Sequence, residues 1–496
     1  MKISAVLAGA LYFLSFPPFN LWYLIFPALY FFYRALLLSK NGFSSGFIFG
    51  SIAYSVILLG IKSIGYEAWI PLTILMGLTY GVFGVIFVFF KNKFQNHFFV
   101  LIGVISSFDL MRAYFPFGGF PWGFSSTVLL TSYSEYSTYL LPNLFKTYGP
   151  SGLSLIIQSF VLFLVLFISE SKKGRILKSF TVYVFLISIP LLISTVDLFN
   201  FEKSNATKEG LTISIVQGNS PCPGTKNKCS NERQRIYESH LNLTKEINQN
   251  VNLVVWPESS TGFNNDPLVH KEVLGEIQTE AKRLDSYFLI GGDRPIGNEN
   301  FENYGVFINT QGLVIDQYLK QHPVPFGEYI PFRKYLDWIP PLAQVPRDMI
   351  RGDREKILYL DEVRIASVIS FEGSFQRYIR KSVNQGAEVI IILTNQASYG
   401  ESGMSDQFIL MSQANAISNN RPIVHAAITG KSAFINNLGN VISKTDLFTT
   451  SLLTETIYPV DSVTFYSRYG NYFNYMSLLI ALMLIFFKKF FTHQID

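Results

Sequence analysis

Cysteine is scarce in this sequence: Cys222 and Cys229 are the two thiols in 496 residues. A scaffold built on disulfides is excluded, and no metal-ligand spacing surrounds the pair, so neither a zinc site nor any other cofactor is implied. Both thiols lie in one polar loop. If that loop is extracytoplasmic, a small disulfide closes it, either as an ordinary surface loop or as one overhanging a site. Charge is also in short supply, and unevenly so. Charged residues make up 15% of the chain, yet few fall within 1–200, where Leu, Ile, Phe, Tyr and Gly dominate. A third absence is a small-residue cleavage site after the first apolar run, which ends at Pro17-Pro18. That run therefore reads as a membrane span and not as a removable signal peptide.

What is present completes the division. From Glu202 onward Lys, Arg, Asp, Glu and Asn return at the density of a soluble protein, and from Tyr472 to Phe491 the chain is apolar again. The length suits two domains. The pattern predicts a membrane domain over 1–200 with seven spans, a soluble domain over 205–465, and a last span with a short tail over 470–496. Runs of spanning length or slightly less occur at about 3–17, 20–38, 42–62, 69–90, 97–114, 150–169, 179–197 and 472–489.

A net charge of +5 suggests a nucleic-acid partner only until the basic residues are located. They sit in short loops between apolar runs, where topology-setting charges belong, and no nucleic acid is implied. Lys2, then Arg34 and Lys40, then Lys91 and Lys93, then Lys172, Lys173, Arg175 and Lys178, and finally Lys488 and Lys489 mark alternate connections. With eight spans all five groups fall on one side. Both termini are then cytoplasmic and the 205–465 domain is extracytoplasmic.

Ionisable groups within spans are costly and need a reason. Asp109 and Arg112 are three residues apart, share one helix face, and read as a structural ion pair between helices or as a substrate contact. The stretch Tyr114–Tyr148, rich in aromatics and glycine, reads as an irregular segment at the interface, either lining a lipid path or simply packed.

In the soluble part, short Val/Ile/Leu-rich runs predict strands at Leu211–Gln217, Val251–Trp256, Tyr287–Gly291, Tyr304–Asn309, Val363–Ile369, Val389–Leu393 and Ile423–Ala427. Helical patterns at about 230–248, 268–283, 373–384 and 405–419 lie between some of them, which argues a layered α/β domain. Three strand ends carry chemistry. Trp256-Pro257-Glu258 runs a strand into a carboxylate. Lys320 and Glu328 bracket the rigid turn His322-Pro323-Val324-Pro325-Phe326-Gly327. Ser370-Phe371-Glu372 closes a strand with a hydroxyl and a carboxylate. A base, an ammonium and a nucleophile on three strand ends suit acyl transfer. Singly each has a blander reading, as a surface pair or, for Ser370, a helix N-cap.

Taken in this order, the segments resemble the nitrilase (carbon–nitrogen hydrolase) superfamily, whose triad is Glu, Lys and Cys. The eight-span frame around an external domain resembles the bacterial apolipoprotein N-acyltransferases. Trp256-Pro257-Glu258, Lys320 with His322-Pro323-Val324-Pro325-Phe326-Gly327-Glu328, and Ser370-Phe371-Glu372 match that family's motifs. So do Gly119-Phe120-Pro121-Trp122 and the Asp109–Arg112 pair, with Asp where Glu is usual. The resemblance implies an αββα sandwich beside about eight transmembrane helices, in the bacterial cytoplasmic (inner) membrane with the soluble domain on the periplasmic side.

By that resemblance the activity is transfer of an acyl chain, by way of an acyl-enzyme, from a phospholipid donor to a diacylated lipoprotein acceptor. The acceptor atom is the α-amine of its N-terminal diacylglyceryl-cysteine. Transfer to an amine, not to water, needs a dry site. Glu258 is then the base, Lys320 the oxyanion stabiliser and Ser370 the nucleophile, with Glu328, Glu372 and Tyr399 supporting. Ser370 departs from the family's Cys. Further departures are scattered: Asn395, Gln396, Ala397, Ser398 and Tyr399 stand where an Asp and a Trp are usual. The family's helix motif with Arg and Glu before Arg-Pro reads Asn415, Ser418, Arg421 and Pro422 here. Two other readings stay open: a catalytically inactive paralogue that binds lipoprotein or lipid or scaffolds a partner, and a membrane-tethered amidase.

Overall fold

The computed structural model describes residues 2–95, 97–132, 140–169, 173–202, 209–220, 230–262 and 264–492. Cys222, Cys229 and Lys172, on which expectations above rest, lie outside the described residues. The chain divides into two compact units, residues 1–204 with 464–496, and residues 205–463.

The first unit is helical: α1 Lys2–Leu14, α2 Ile25–Leu38, α3 Phe43–Ile57, α4 Tyr66–Lys93, α5 Phe98–Tyr114, α6 Leu140–Ser169, α7 Lys173–Glu202 and, after the soluble unit, α13 Phe465–Tyr469 and α14 Tyr472–Thr492. Every expected apolar run thus carries a helix. Among the described residues three are long and apolar enough to cross a membrane, Tyr66–Lys93, Leu140–Ser169 and Lys173–Val196, while Lys2–Leu14, Trp22–Leu38, Phe43–Ile57 and Tyr472–Phe487 are shorter apolar helices. At 1.5 Å per residue a helix of about 15 residues spans about 22 Å, short of a hydrocarbon core of about 30 Å.

The irregular stretch is smaller than the sequence suggested, since α6 already begins at Leu140. Gly149, with φ 65°, and Pro150 break it internally, which is where the sequence pattern placed the start of the span. A side chain at Gly149 would lie 2.2 Å from the Tyr466 ring, so this break requires glycine both for φ and for space.

Asp109 and Arg112 are both buried, but they do not close on each other. Asp109 accepts from Gln158 Nε2 at 2.8 Å. Arg112 donates to the Tyr80 and Tyr54 hydroxyls and to the Trp122 carbonyl. Trp122, Phe124, Ser125 and Ser126 are buried as well, and Tyr12 donates to the Gly123 carbonyl at 2.8 Å. Non-helical backbone within an apolar unit needs protein partners for its carbonyls, and Arg112, Tyr54 and Tyr12 supply them. Packing is therefore the role seen for Trp122–Ser126, whereas Tyr114, Phe115 and Phe117 are exposed.

The second unit contains two sheets. The first is ordered β13-β1-β2-β3-β4-β5, with β6 paired to β4. Its strands are β1 Leu211–Gln217, β2 Leu253–Trp256, β3 Tyr287–Ile296, β4 Asn300–Ile308, β5 Val314–Leu319, β6 Asp348–Met349 and β13 Ser451–Ile457. The second is ordered β12-β11-β10-β9-β8-β7, from β7 Ile357–Leu360, β8 Val363–Ile369, β9 Val389–Thr394, β10 Ile423–Ala427, β11 Ala433–Ile435 and β12 Val441–Lys444. Strands β1, β2 and β3 are parallel, as are β8, β9 and β10; the remaining pairs are antiparallel except the short parallel β4–β6 pair.

Side chains alternate across each strand, so every central strand feeds two cores. Ile213, Val255, Leu289 and Phe307 meet Ile365, Ile391, Leu393 and Val424 between the sheets. Val254, Trp256, Phe288 and Ile290 meet Tyr237, Leu241, Ile277 and Ala281 of the outer helices α8 Ser230–Lys245 and α9 Lys271–Leu284. A single turn, α10 Arg333–Leu336, lies between β5 and β6, and helices α11 Gln376–Asn384 and α12 Met404–Asn419 follow β8 and β9 on the other sheet. Both faces of both sheets are thus apolar, which gives the αββα sandwich. All seven expected strands are present. The strands that sequence reading left out, β5, β6, β7, β11, β12 and β13, flank the parallel centres: β12 alternates half-buried with exposed positions, so an apolar run is not required there, and β11, though fully buried, is three residues long.

Candidate active site

The three strand ends converge. Glu258 follows β2, and the turn that carries it lies so close to β3 that a side chain at Gly291 would come within 2.3 Å of the Pro257 carbonyl. Lys320 follows β5 directly. Its ammonium is fully buried and lies 3.1 Å from Glu258 Oε1, and it also pairs with Glu328 Oε1. Glu328 reaches back across its own Pro/Gly turn, and its Oε2 accepts from the Val324 N–H at 2.8 Å. Burial by itself would depress the Lys320 ammonium, but Glu258 and Glu328 outweigh it and hold the group above its ordinary range. Burial pushes the Glu328 carboxyl up, against the pull of Lys320.

Ser370 ends β8 in a left-handed conformation, φ 53°, where a short 3₁₀ turn begins. It is a strand-to-turn elbow and not a helix N-cap, because α11 starts six residues later. The parallel register Ile369↔Leu393 sets Ser370 beside the end of β9, and two residues further along β9's exit the Asn395 N–H donates to Glu258 Oε2 at 2.7 Å. Each of the three motif segments carries a non-glycine residue with positive φ: Ser259 at 62°, Phe326 at 61° and Ser370 at 53°. Such conformations persist where surrounding structure enforces them, and they gather at functional sites.

Glu372 locks the second and third segments together. Its Oε2 accepts from the Tyr318 hydroxyl at 2.7 Å and the Ile369 N–H at 2.8 Å; its Oε1 accepts from the N–H groups of Gln321 and His322. Burial raises its carboxyl to about 7, with the Ile369 N–H and the Tyr318 hydroxyl opposing. Glu372→Gln turns one acceptor oxygen into an NH₂ facing a donor, so one or two of the four bonds are lost. A loss of about 1–3 kcal/mol is expected, read as a lower denaturant midpoint of the whole protein with an unchanged slope.

Tyr399 stands in the field of Glu258, Lys320 and Glu328; burial, with Glu258 adding to it, raises its phenol. His322 is packed against the Phe371, Phe375 and Tyr378 rings, with centroids 4.5–5.9 Å away. Burial, then Arg377, Lys320 and Arg351, take its imidazole down to about 3. The residues expected from sequence are therefore brought together as a group: Glu258, Lys320 and Glu328 in direct contact, Glu372 tying the loops, Tyr399 nearby and Ser370 at the elbow. Among the described residues no group of three His, Cys, Asp or Glu side chains has the geometry to hold a metal ion.

Sequence reasoning missed Asn303 and Asp293. Asn303 donates from Nδ2 to Glu258 Oε1 at 2.7 Å, and its carbonyl accepts the Lys320 N–H at 3.0 Å. Asp293 is buried beside it. The signal was parity: Leu289, Gly291 and Asp293 on β3, and Phe307, Gly305 and Asn303 on β4, share the inward face, so each strand puts a polar residue where an apolar one is expected.

Comparison with known proteins agrees with this geometry. Residues 212–463 match the carbon-nitrogen hydrolase family and residues 8–163 match the apolipoprotein N-acyltransferase N-terminal domain. The chain is 26% identical to an apolipoprotein N-acyltransferase of Geobacter metallireducens, over 99% of this chain and 96% of that one. It is 29% identical to that of Aquifex aeolicus, over 90% and 95%, and 29% identical to that of Rickettsia bellii, over 99% and 97%. Matched along both its helical and its sandwich unit, the chain belongs to the apolipoprotein N-acyltransferase family of the carbon–nitrogen hydrolase superfamily.

Proposed function

We propose that this protein transfers an acyl chain from a membrane phospholipid to the α-amine of the N-terminal diacylglyceryl-cysteine of lipoproteins, through an acyl-enzyme on Ser370. The observation that carries this reading is the buried Glu258–Lys320–Glu328 cluster beside the Ser370 elbow, in a chain that also matches the family's membrane domain. Glu258 takes the Ser370 hydroxyl proton as Oγ attacks the ester carbonyl carbon. The Lys320 ammonium stabilises the oxyanion, the ester C–O bond breaks, and the proton passes to the departing lysolipid oxygen. The α-amine then attacks the acyl-enzyme, Glu258 takes its proton, and Ser370 leaves with it, so that one ester becomes one amide. Glu328 and Glu372 hold Lys320 and the elbow, and Tyr399 closes the pocket.

The alternating basic loops and the eight helices support eight spans in the bacterial inner membrane. Both termini are then cytoplasmic and the 205–465 domain, between the 1–200 and 470–496 membrane parts, is periplasmic. The test is expression in cells depleted of their own N-acyltransferase, with mass spectrometry of lipoprotein N-termini. Triacylated product is expected; its absence from a well-expressed protein overturns the reading. Serine in place of the family's cysteine favours a second reading, an inactive paralogue that binds lipoprotein or lipid. That reading requires Ser370→Ala and Glu258→Ala to leave any cellular phenotype intact.

A further inference from the structure

The carboxylate assigned above as the base is almost fully occupied. Glu258 Oε1 accepts from Asn303 Nδ2 and Lys320 Nζ, and Oε2 accepts from the Asn395 N–H. Because a carboxylate there accepts only, the Asn303 amide must present its nitrogen to Glu258, which turns Oδ1 away from it. That oxygen is buried and has no hydrogen-bond partner. Leaving a buried acceptor unpaired is costly, so a native site rarely keeps one without a donor nearby. The residue directly across the antiparallel β3–β4 pair from Asn303 is Asp293. Side chains so paired lie on one face within about 5.5 Å at Cβ. Asp293 is buried and accepts from the Ser259 hydroxyl.

The charges around Asp293 decide which form it takes. Glu258 and Glu328 face it with negative charge and Lys320 with the one positive charge, already shared between those two carboxylates. The Tyr304 phenol on β4 is also within its field. Arg294, next to it on β3, is turned to the other face and pairs with Glu302. Glu372, Glu258 and Glu328 each have two or more donors, whereas Asp293 has the Ser259 hydroxyl. Glu372 is raised as well, to about 7, but of the four carboxyls Asp293 is the one that lies across from an unpartnered acceptor, Asn303 Oδ1.

We propose that Asp293 is a positioning residue kept as a neutral carboxylic acid: it donates its O–H to Asn303 Oδ1, and Asn303 in turn donates to Glu258, so that a hydrogen-bonded chain from β3 through β4 aims the base. The chain satisfies the orphaned oxygen and polarises the amide toward Glu258. It leaves Oε2, with its single donor, as the oxygen that receives the nucleophile's proton. Burial first, with Glu258 and Glu328 adding to it against the Ser259 bond and Lys320, carries the Asp293 carboxyl up to about 7. The chain is therefore intact below that pH and lost above it. This inference rests on the acyl-transfer reading only for the name of base given to Glu258.

Infrared spectroscopy of the whole purified protein, as a function of pH, tests it without needing turnover. Because the Glu372 carboxyl is also raised to about 7, the band is read by difference: wild type minus Asp293→Asn is expected to leave one protonated-carboxyl stretch that titrates near 7, and that stretch persists in Ser370→Ala. Asn303→Ala removes the acceptor that favours the neutral acid, so the midpoint falls by about one pH unit or more. In the acyl-transfer assay, Asp293→Ala lowers kcat about tenfold with KM unchanged, and Asp293→Asn, which keeps a donor, recovers most of that loss and loses the basic limb near 7. A carboxyl spectrum that Asp293→Asn leaves unchanged, or a difference-band midpoint unmoved by Asn303→Ala, overturns the proposal. If the bands behave as stated while wild-type protein transfers no acyl group, the chain stands and the functional reading falls.

Discussion

Lys320→Met is expected to destabilise the whole protein by about 3–5 kcal/mol and to abolish acyl transfer. The size follows from what is left behind. Lys320 is fully buried, and its ammonium is the cation on which Glu258 and Glu328 converge. Without it two carboxylates remain close together in a low-dielectric pocket, and both cannot stay ionised. Glu328, already raised by burial, rises further and takes a proton. In the variant its folded-state value then lies above the unfolded value of about 4.3, so the folded state binds more protons, and stability falls as pH rises between the two. The deficit relative to wild type should therefore be smaller at about pH 5 than at about pH 8. Denaturant unfolding of the detergent-solubilised protein at both pH values measures this. A deficit below about 1 kcal/mol, or one independent of pH, would mean that Lys320 does not neutralise the cluster.

The layered α/β core was legible because fully buried parallel strands need unbroken apolar runs, as in Leu253–Trp256 and Val389–Leu393, where every position is buried. The hairpin arm was not. Strand β3 was expected to stop at Gly291 and β4 to begin at Tyr304, because Asp293, Arg294, Pro295, Glu299, Asn300 and Asn303 are poor strand formers. Pairing across the hairpin carries both strands out to Ile296↔Asn300 all the same. Asp293 and Asn303 were hidden by that truncation: parity along each strand puts them on the inward face, but their pairing depends on the register between the two strands. The membrane unit shows the same limit. The Asp109–Arg112 spacing located two buried polar groups correctly, but their partners, Gln158 on one side and Tyr54, Tyr80 and Trp122 on the other, come from distant segments. Glu258, Lys320, Glu328 and Glu372 were legible because each stands at a strand end or a proline-fixed turn. Chain direction reverses there, and a polar side chain can enter the layer between the sheets from its edge.

Ser370→Cys is expected to accelerate acyl-enzyme formation by at least about 100-fold and to let the intermediate accumulate as a thioester. A thiol ionises near 8.5 and is strongly nucleophilic once deprotonated, whereas a serine hydroxyl must lose its proton to the base during attack. Here that base is Glu258, a carboxylate whose Oε1 holds two donors and whose Oε2 holds one. Such a group is a weak acceptor for a hydroxyl proton. It is an adequate one for a thiol, whose proton affinity lies several orders of magnitude nearer its own. The elbow itself does not discriminate, since the left-handed backbone at position 370 presents a sulfur as readily as an oxygen. Incubation of the variant with phospholipid vesicles, followed by intact-protein mass spectrometry, should show one added acyl chain that hydroxylamine removes. Ser370→Cys combined with Glu258→Gln should show the adduct slowed by about 100-fold or more, because the thiol then lacks its base. Folded Ser370→Cys protein that gains no acyl chain would locate the defect in the lipid pocket and not in the nucleophile. Serine at position 370 would then be a consequence of lost chemistry and not its cause, because a pocket that no longer admits the ester puts no demand on the residue at its elbow.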